Sequence, residues 1–292
     1  MTNNKKQVLT LPSPEKTEEI QKLLGDNICI VKGSFKDTTF QFNQRLSILH
    51  KNKNIKDYDF IWLSSTFSSR DISRSISLYL KYHNTPHTDM NYGEGSSKLV
   101  DLTHFCLNTI PTPKSFFQKG DGIYHNISLL EKVCGFPLII KDTKGLRGRN
   151  SYLANSKQEL KGIINSLPKN KNFIFQQFIP NDYDWGILVA HGKVVSAEKS
   201  YRTKEEFRNN ACHGAKEIFV DVSKVSKDVT DIALNACKIL NLDWGRADIV
   251  IDKITNKPYL LEFNRFPGMT SGSTEVKAFG NYIKDKVNSF NS

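Results

Sequence analysis

At 292 residues, with 38% hydrophobic and 24% charged side chains, the chain has the composition of a globular protein with a large core, which excludes a disordered or low-complexity chain. Lysine and arginine exceed aspartate and glutamate by 41 to 30; the net charge of +11 would attract polyanions or acidic substrates, but the cations are spread along the chain and read equally as compositional bias. No apolar run approaches membrane-spanning length, no apolar signal core follows the polar Met1–Gln7, and the five cysteines, without a CxxC pair, read as reduced thiols, so no membrane partner and a cytoplasmic location are expected.

Taken in order, Asn27–Lys32 and Asp59–Ser64 read as short buried strands, while Thr39–His50 and Arg70–His83 carry apolar residues at helical spacing. This alternation predicts an α/β domain with parallel strands over residues 1–95. No glycine-rich fingerprint follows either strand, so the region reads as a scaffold forming one wall of a site. Beyond a Gly/Ser boundary at Tyr92–Ser97, Ser96 or Ser97 caps a helix reaching Asn108, and Ile110-Pro111-Thr112-Pro113 stops it.

Ile127–Cys134 reads as a helix closed by Gly135, and Phe136–Lys141 as a strand ending in a lysine. Asp142–Asn150 (DTKGLRGRN) is a loop with two glycines and, counting Lys141, four cations. Such a loop suits a phosphate cover, although basic glycine turns are common. Tyr152–Ala154 returns as a strand, and the capping box Ser156-Lys157-Gln158-Glu159 opens a helix through Leu167. Phe173–Ile179 is a further strand; Gly186–Ala190 and Lys193–Lys199 pair through a His191-Gly192 turn; Ser226–Leu240 is an amphipathic helix.

The most informative stretch is Gly245–Gly268, GRADIVIDKITNKPYLLEFNRFPG. Two apolar runs, Ala247–Ile251 and Tyr259–Phe263, flank a polar turn segment, the pattern of a β-hairpin. Folded symmetrically about Thr255, it sets Asp248 opposite Glu262, with Asn264 on the same face. Facing carboxylates repel, so a hard cation such as Mg²⁺ between them explains the placement; an ordinary surface hairpin with unrelated acids is the alternative, and a one-residue slip would separate the two.

From about Lys98 to Gly268 these segments resemble, in the family's order, an ATP-grasp ligase, most closely the branch that attaches glutamate to a ribosomal protein. The likeness is carried by PTPKSFF, CGFPLIIK, FQQFIPNDYDWGILVAHGKVVSAEKS, EFRNN and GRADIV with LEFNRFPG. After the N-terminal α/β domain read from the alternation above, where no close likeness extends, it implies a two-lobed α+β ATP-grasp fold, with lobes at 96–180 and 181–292 that clamp ATP. It further implies that Gln176, Gln177, Phe178 and Ile179 form the adenine edge, that Asp184 meets the ribose, and that Lys141 and Lys98 hold phosphate oxygens. Lys199 and Asn210 would reach the transferred phosphoryl group, Arg265 a substrate carboxylate, and Asp248, Glu262 and Asn264 would ligate Mg²⁺, with Mn²⁺ as the alternative ion. The chain departs from close relatives in having Gly186 and Lys199 where they place arginines.

The reaction this implies is ATP-dependent ligation of a carboxylate to an amine through an acyl phosphate, the partners being an amino acid, a peptide or a protein tail. Two other classes stand beside it: a nucleotide-binding protein without turnover, and a basic nucleic-acid-binding protein. The second is disfavoured, because neither an interleaved aromatic and basic strand nor a Cys/His finger is present.

Overall fold

The computed structural model describes residues 5–65, 69–88, 97–145, 150–203 and 214–290. The first segment holds β1 (Lys6–Leu11), α1 (Thr17–Leu24), β2 (Ile28–Lys32), β3 (Thr38–Phe42), β4 (Leu46–His50), β5 (Lys53–Asn54) and β6 (Phe60–Leu63), followed by α2 (Arg70–Tyr82). Strands β2, β1 and β6 form a parallel sheet in that order. The two strands expected from sequence are thus not neighbours. Between them lies β1, whose Val8, Leu9 and Leu11 are fully buried although the residues before them are polar.

One expected element is of the wrong type. Thr39–His50 is not a helix but the hairpin β3–β4, with Phe40 opposite Ile48 and Phe42 opposite Leu46. The stretch TTFQF…LSILH alternates with period two as well as it fits a helical stripe, and in so short a run the aromatic and β-branched content decides for strand.

Next come α3 (Lys98–Leu107), β7 (Ser115–Phe117), α4 (Ile127–Cys134), β8 (Leu138–Asp142), β9 (Ser151–Ala154), α5 (Lys157–Ser166) and β10 (Phe173–Gln177). They build a four-stranded antiparallel sheet, order β7-β10-β8-β9, with its own core of Leu130, Leu138, Ile140, Leu160 and Phe175 among others. Caps act where the sequence placed them. Ser97 Oγ accepts from Val100 N at the start of α3, and Ser156 Oγ from Glu159 N at the start of α5. The return arm of the capping box reaches one residue further back, Glu159 Oε2 accepting from Asn155 N at 2.9 Å.

The last part is β11 (Asp184–Ala190), β12 (Lys193–Tyr201), β13 (Lys216–Val220), α6 (Lys227–Ile239), β14 (Trp244–Ile251), β15 (Pro258–Asn264) and α7 (Thr274–Ser289). An antiparallel sheet runs β13-β12-β11-β14-β15. Its β11–β12 turn has His191 at φ 49° and Gly192 at φ 68°, the two left-handed residues that a type I′ turn requires.

The buried stripe of α6, Val229, Ile232, Ala233, Ala236 and Cys237, packs across β14, β11, β15 and β12. Helix α7 covers part of the sheet's other face, where Phe279 meets Trp244 edge-on at 5.2 Å. The same Phe279 meets Trp62 of β6 at 4.8 Å, so one core runs from the parallel sheet through α7 into the five-stranded sheet.

Candidate active site

The functional residues stand in rows across the five-stranded sheet. In register from β12 to β15 are Glu198, Gly186, Asp248 and Glu262; the next row is Ser196, Leu188, Arg246 and Asn264. Residues directly opposite one another share a face, so these side chains share one, together with Asp184 two residues before Gly186. Helix α7 occupies one end of this face, Ser196 Oγ meeting Thr274 Oγ1 at 2.5 Å. The end carrying Asp184, Asp248 and Glu262 meets α3 instead, and the charge of Lys141 on β8 is felt by all three acids.

The pairing of Asp248 with Glu262 arises differently from a symmetric hairpin. Near the turn, Ile249 faces Leu260 and Ile251 faces Pro258, a register that by itself would put Leu261 opposite Asp248. A bulge between Asp248 and Ile249 absorbs Leu261 and restores Glu262 to the position opposite. Asn264 joins them, its Nδ2 donating to Asp248 Oδ2 at 2.8 Å and to Glu262 Oε1 at 3.3 Å.

Lys98, in the first turn of α3, donates to Glu262, and its backbone N–H donates to Thr143 O just beyond β8 at 3.0 Å. Lys141 on β8 donates to Gln176 Oε1 at 2.9 Å. Burial lowers the Lys141 pKa, with Glu262 opposing that and Lys98 adding to it. Burial also pushes the Asp248 carboxyl up; Arg246 works against this, while Glu262 and Asp184 add to it. Burial acts in the same sense on Glu262, but Lys98 and Lys141 outweigh it and hold that carboxyl low.

Among the described residues, no three His, Cys, Asp or Glu side chains gather in metal-binding geometry. The donors on offer are the two carboxylates and the Asn264 amide, which presents its oxygen after a half-turn. Three oxygens beside a carboxyl made unfavourable by burial and like charge fit a hard divalent cation.

Other expected site residues are placed less simply. Gln176 is buried, and its amide bridges Lys141 and Ser115 Oγ rather than standing open. Gln177 N donates to Lys114 O at 2.8 Å and Phe178 N to Pro137 O at 3.2 Å, while Ile179 is buried. Asp184 Oδ1 accepts from Asn181 Nδ2 at 2.5 Å, and Asn181 is held in turn by Arg202.

Two expectations are corrected. Lys199 is in register with Trp185, which puts it on the sheet face opposite Asp248 and Glu262, its ammonium 4.1 Å from the Tyr183 ring centre and 4.7 Å from that of Trp185. Arg265 is buried in a two-pronged ion pair with Asp101 of α3, at 2.8 and 2.9 Å, which occupies both terminal nitrogens. Asn210 and residues 146–149 of the basic loop lie outside the described residues. The ends of that loop converge on Asp142, whose carboxylate accepts from Lys144 N, Asn150 Nδ2 and Lys171 Nζ.

Sequence reasoning missed Glu198 and Arg246. Arg246 Nη1 donates to Glu198 Oε1 at 3.1 Å, and Arg246 Nε lies 3.3 Å from Asp248 Oδ1. Glu198 is buried and, by burial first, is pushed up to about 8, with Arg246 working against this and Glu275, Glu217 and Asp248 adding. The signal available was period: Arg246 stands two residues before Asp248 and therefore shares its face.

A family model described as a RimK-like ATP-grasp domain matches residues 96–282. A protein named probable alpha-L-glutamate ligase from Psychromonas ingrahamii is 31% identical over 235 residues, 78% of this chain and 74% of that protein. One of the same name from Legionella pneumophila is 32% identical over 193 residues, where the match spans 64% of this chain and 61% of the relative.

Among solved structures, D-alanine–D-alanine ligase from Bacillus anthracis complexed with ATP superposes with a TM-score of 0.70 at 18% identity, covering 97% of this chain and 96% of that one. ATP-grasp ligase PsnB complexed with a phosphomimetic variant of its minimal precursor, Mg and ADP gives 0.65 at 14% identity, covering 98% and 99%. At these identities the structural likeness establishes the ATP-grasp fold.

Proposed function

This chain belongs to the RimK-like ATP-grasp family of ligases, enzymes that use ATP with Mg²⁺, and we propose that it joins a carboxylate to an amine on an amino acid, a peptide or a protein tail. The observation that carries the reading is the convergence of Asp248, Glu262 and Asn264 with Lys98 and Lys141 from two other elements. Cations from α3 and β8 stand beside oxygen donors from β14 and β15, which is the pairing of charges that a nucleotide triphosphate with its counter-ion needs.

In this reading ATP lies between residues 96–180 and 181–292, with its base against Gln176–Ile179, its ribose near Asp184 and its phosphates on Lys98 and Lys141. The substrate carboxylate attacks the γ-phosphorus, the bond to the β-phosphate oxygen breaks, and ADP leaves. The amine then attacks the acyl carbon, loses a proton and expels phosphate, forming the amide. Phosphorylation supplies the leaving group that a carboxylate lacks. Mg²⁺ held by Asp248, Glu262 and Asn264 would neutralise phosphate oxygens. Lys98, already paired to Glu262, would turn its ammonium to the phosphates once a cation takes that carboxylate.

The glutamate ligase names of the relatives support an amino-acid or peptide substrate. The test is Glu262→Gln. In the native chain, Mg²⁺ and ADP at about 100 times the dissociation constant are expected to add roughly 2.7 kcal/mol of stability, read as a rise of a few degrees in Tm. In the variant that rise shrinks, and ADP release from ATP in a screen of amino acids and peptides is lost. Undiminished turnover by the variant overturns the proposal.

A further inference from the structure

Gly186 occupies the centre of the acidic row, between Glu198 and Asp248. A Cβ at this position would fall 2.6 Å from Glu198 Oε1 and 2.8 Å from its Cγ. The Glu198 side chain thus lies over the one position in the row that has none, and by crossing it reaches Arg246 on β14.

The guanidinium is hydrogen-bonded on one side and only ion-paired on the other. On one side Nη1 donates to Glu198 Oε1 at 3.1 Å and to Glu275 Oε1, from the first turn of α7, at 3.4 Å. On the other, Nε stands 3.3 Å from Asp248 Oδ1. Glu198 and Glu275 are each 2% exposed, so their carboxylates cannot follow the arginine elsewhere. Asp248 is divided accordingly: Oδ1 faces Arg246, while Oδ2 faces Asn264, which also contacts Glu262.

A guanidinium on a flexible stem beside a lone carboxylate prefers the two-pronged arrangement that takes both oxygens, as Arg265 does with Asp101. With Arg246 so paired, both Asp248 oxygens would lie against a guanidinium whose charge opposes a cation beside them. We propose that Glu198 is a positioning residue: laid across Gly186, it draws Arg246 away from Asp248 Oδ2 and so keeps that oxygen for the divalent cation shared with Glu262 and Asn264. This rests on the metal reading above, and it makes Gly186 and Glu198 a coupled pair. The side chain absent at one position is the room that the other requires.

The experiment measures the Mg²⁺ concentration that half-saturates ADP binding, by calorimetry, together with ADP affinity in chelator and unliganded Tm as a control of the fold. Glu198→Gln keeps the shape and weakens the hold on Arg246; it is expected to raise the half-saturating Mg²⁺ by about tenfold or more and to leave ADP affinity in chelator unchanged. Gly186→Ala, which displaces Glu198 while leaving it chemically intact, should give the same shift, and carries the test if a Glu198 variant fails to fold. Gly186→Ala/Glu198→Ala should be no worse than Glu198→Ala alone, because both changes break one link.

Unchanged Mg²⁺ dependence in Glu198→Gln and Gly186→Ala overturns the inference, as do independent, additive effects of the two positions. ADP binding by the native chain that is indifferent to Mg²⁺ overturns the metal reading itself, so the two failures are told apart.

Discussion

Arg265 follows Asn264 directly in sequence, yet its side chain leaves the cluster of Asp248, Glu262 and Asn264 and ends in a buried pair with Asp101. It lies one residue past the end of β15, and α3 brings an aspartate one turn after Lys98 to meet it. Two ion pairs, Lys98–Glu262 and Asp101–Arg265, therefore fasten α3 to β15. Asp101→Asn strands a buried guanidinium and is expected to cost about 3–5 kcal/mol by urea denaturation. Asp101→Leu/Arg265→Met removes both charges and should cost less. A larger loss in the double variant than in Asp101→Asn would show that the pair is not what destabilises when broken.

Lys199 shows the same logic in reverse. It neighbours the buried Glu198, and that single step places it over Tyr183 and Trp185, away from the acids. Residue type named plausible candidates at 199 and 265; strand parity replaced the first by Glu198, and a helix-borne aspartate withdrew the second.

Among the elements, α3 and the β14–β15 hairpin carry most of the site. Helix α3 is short, and its first turn must be firm because it presents Lys98. Ser97→Ala removes the cap on Val100 N and is expected to lower stability by about 1 kcal/mol in urea titration, within the range of such caps. No change in the unfolding midpoint would mean that the tertiary ties of α3 already fix its first turn.

The hairpin was legible from its polar turn and its two apolar runs. So was the facing of Asp248 and Glu262, but not the register nearer the turn, because a bulge leaves no mark in residue type: Leu261 looks like any strand leucine and yet is the residue absorbed. The same limit explains β3–β4, where apolar residues fit two periods and only packing chooses, and β1, whose short apolar run lies behind a polar leader.

At the scale of the whole molecule, α7 is the shared element. Its Phe279 touches Trp62 of the parallel sheet and Trp244 of the five-stranded sheet, and Tyr282 extends the contact at 5.1 Å from Trp244. The four-stranded sheet keeps a separate core. All three tryptophans, Trp62, Trp185 and Trp244, belong to the larger one, so fluorescence excited selectively at tryptophan reports its unfolding.

Phe279→Ala opens a cavity between the two sheets and is expected to cost about 3–5 kcal/mol, lowering the denaturant midpoint by fluorescence. If the midpoint stays where it is in the native chain, the two sheets are not joined through this ring.

The sequence by itself determined the order of most elements, the caps, the family likeness and the residues Asp248, Glu262 and Asn264. These depend on local periodicity, on turn chemistry and on residue types that a charged site demands. Only the tertiary structure decided which neighbours share a face, because one bulge or one residue of parity reverses a side chain without changing the sequence pattern. It alone showed Arg265 committed to Asp101, Lys199 turned away, and Glu198 reaching Arg246 through the space at Gly186. Those are relations between strands and helices distant in sequence, fixed by packing and burial rather than by any segment alone.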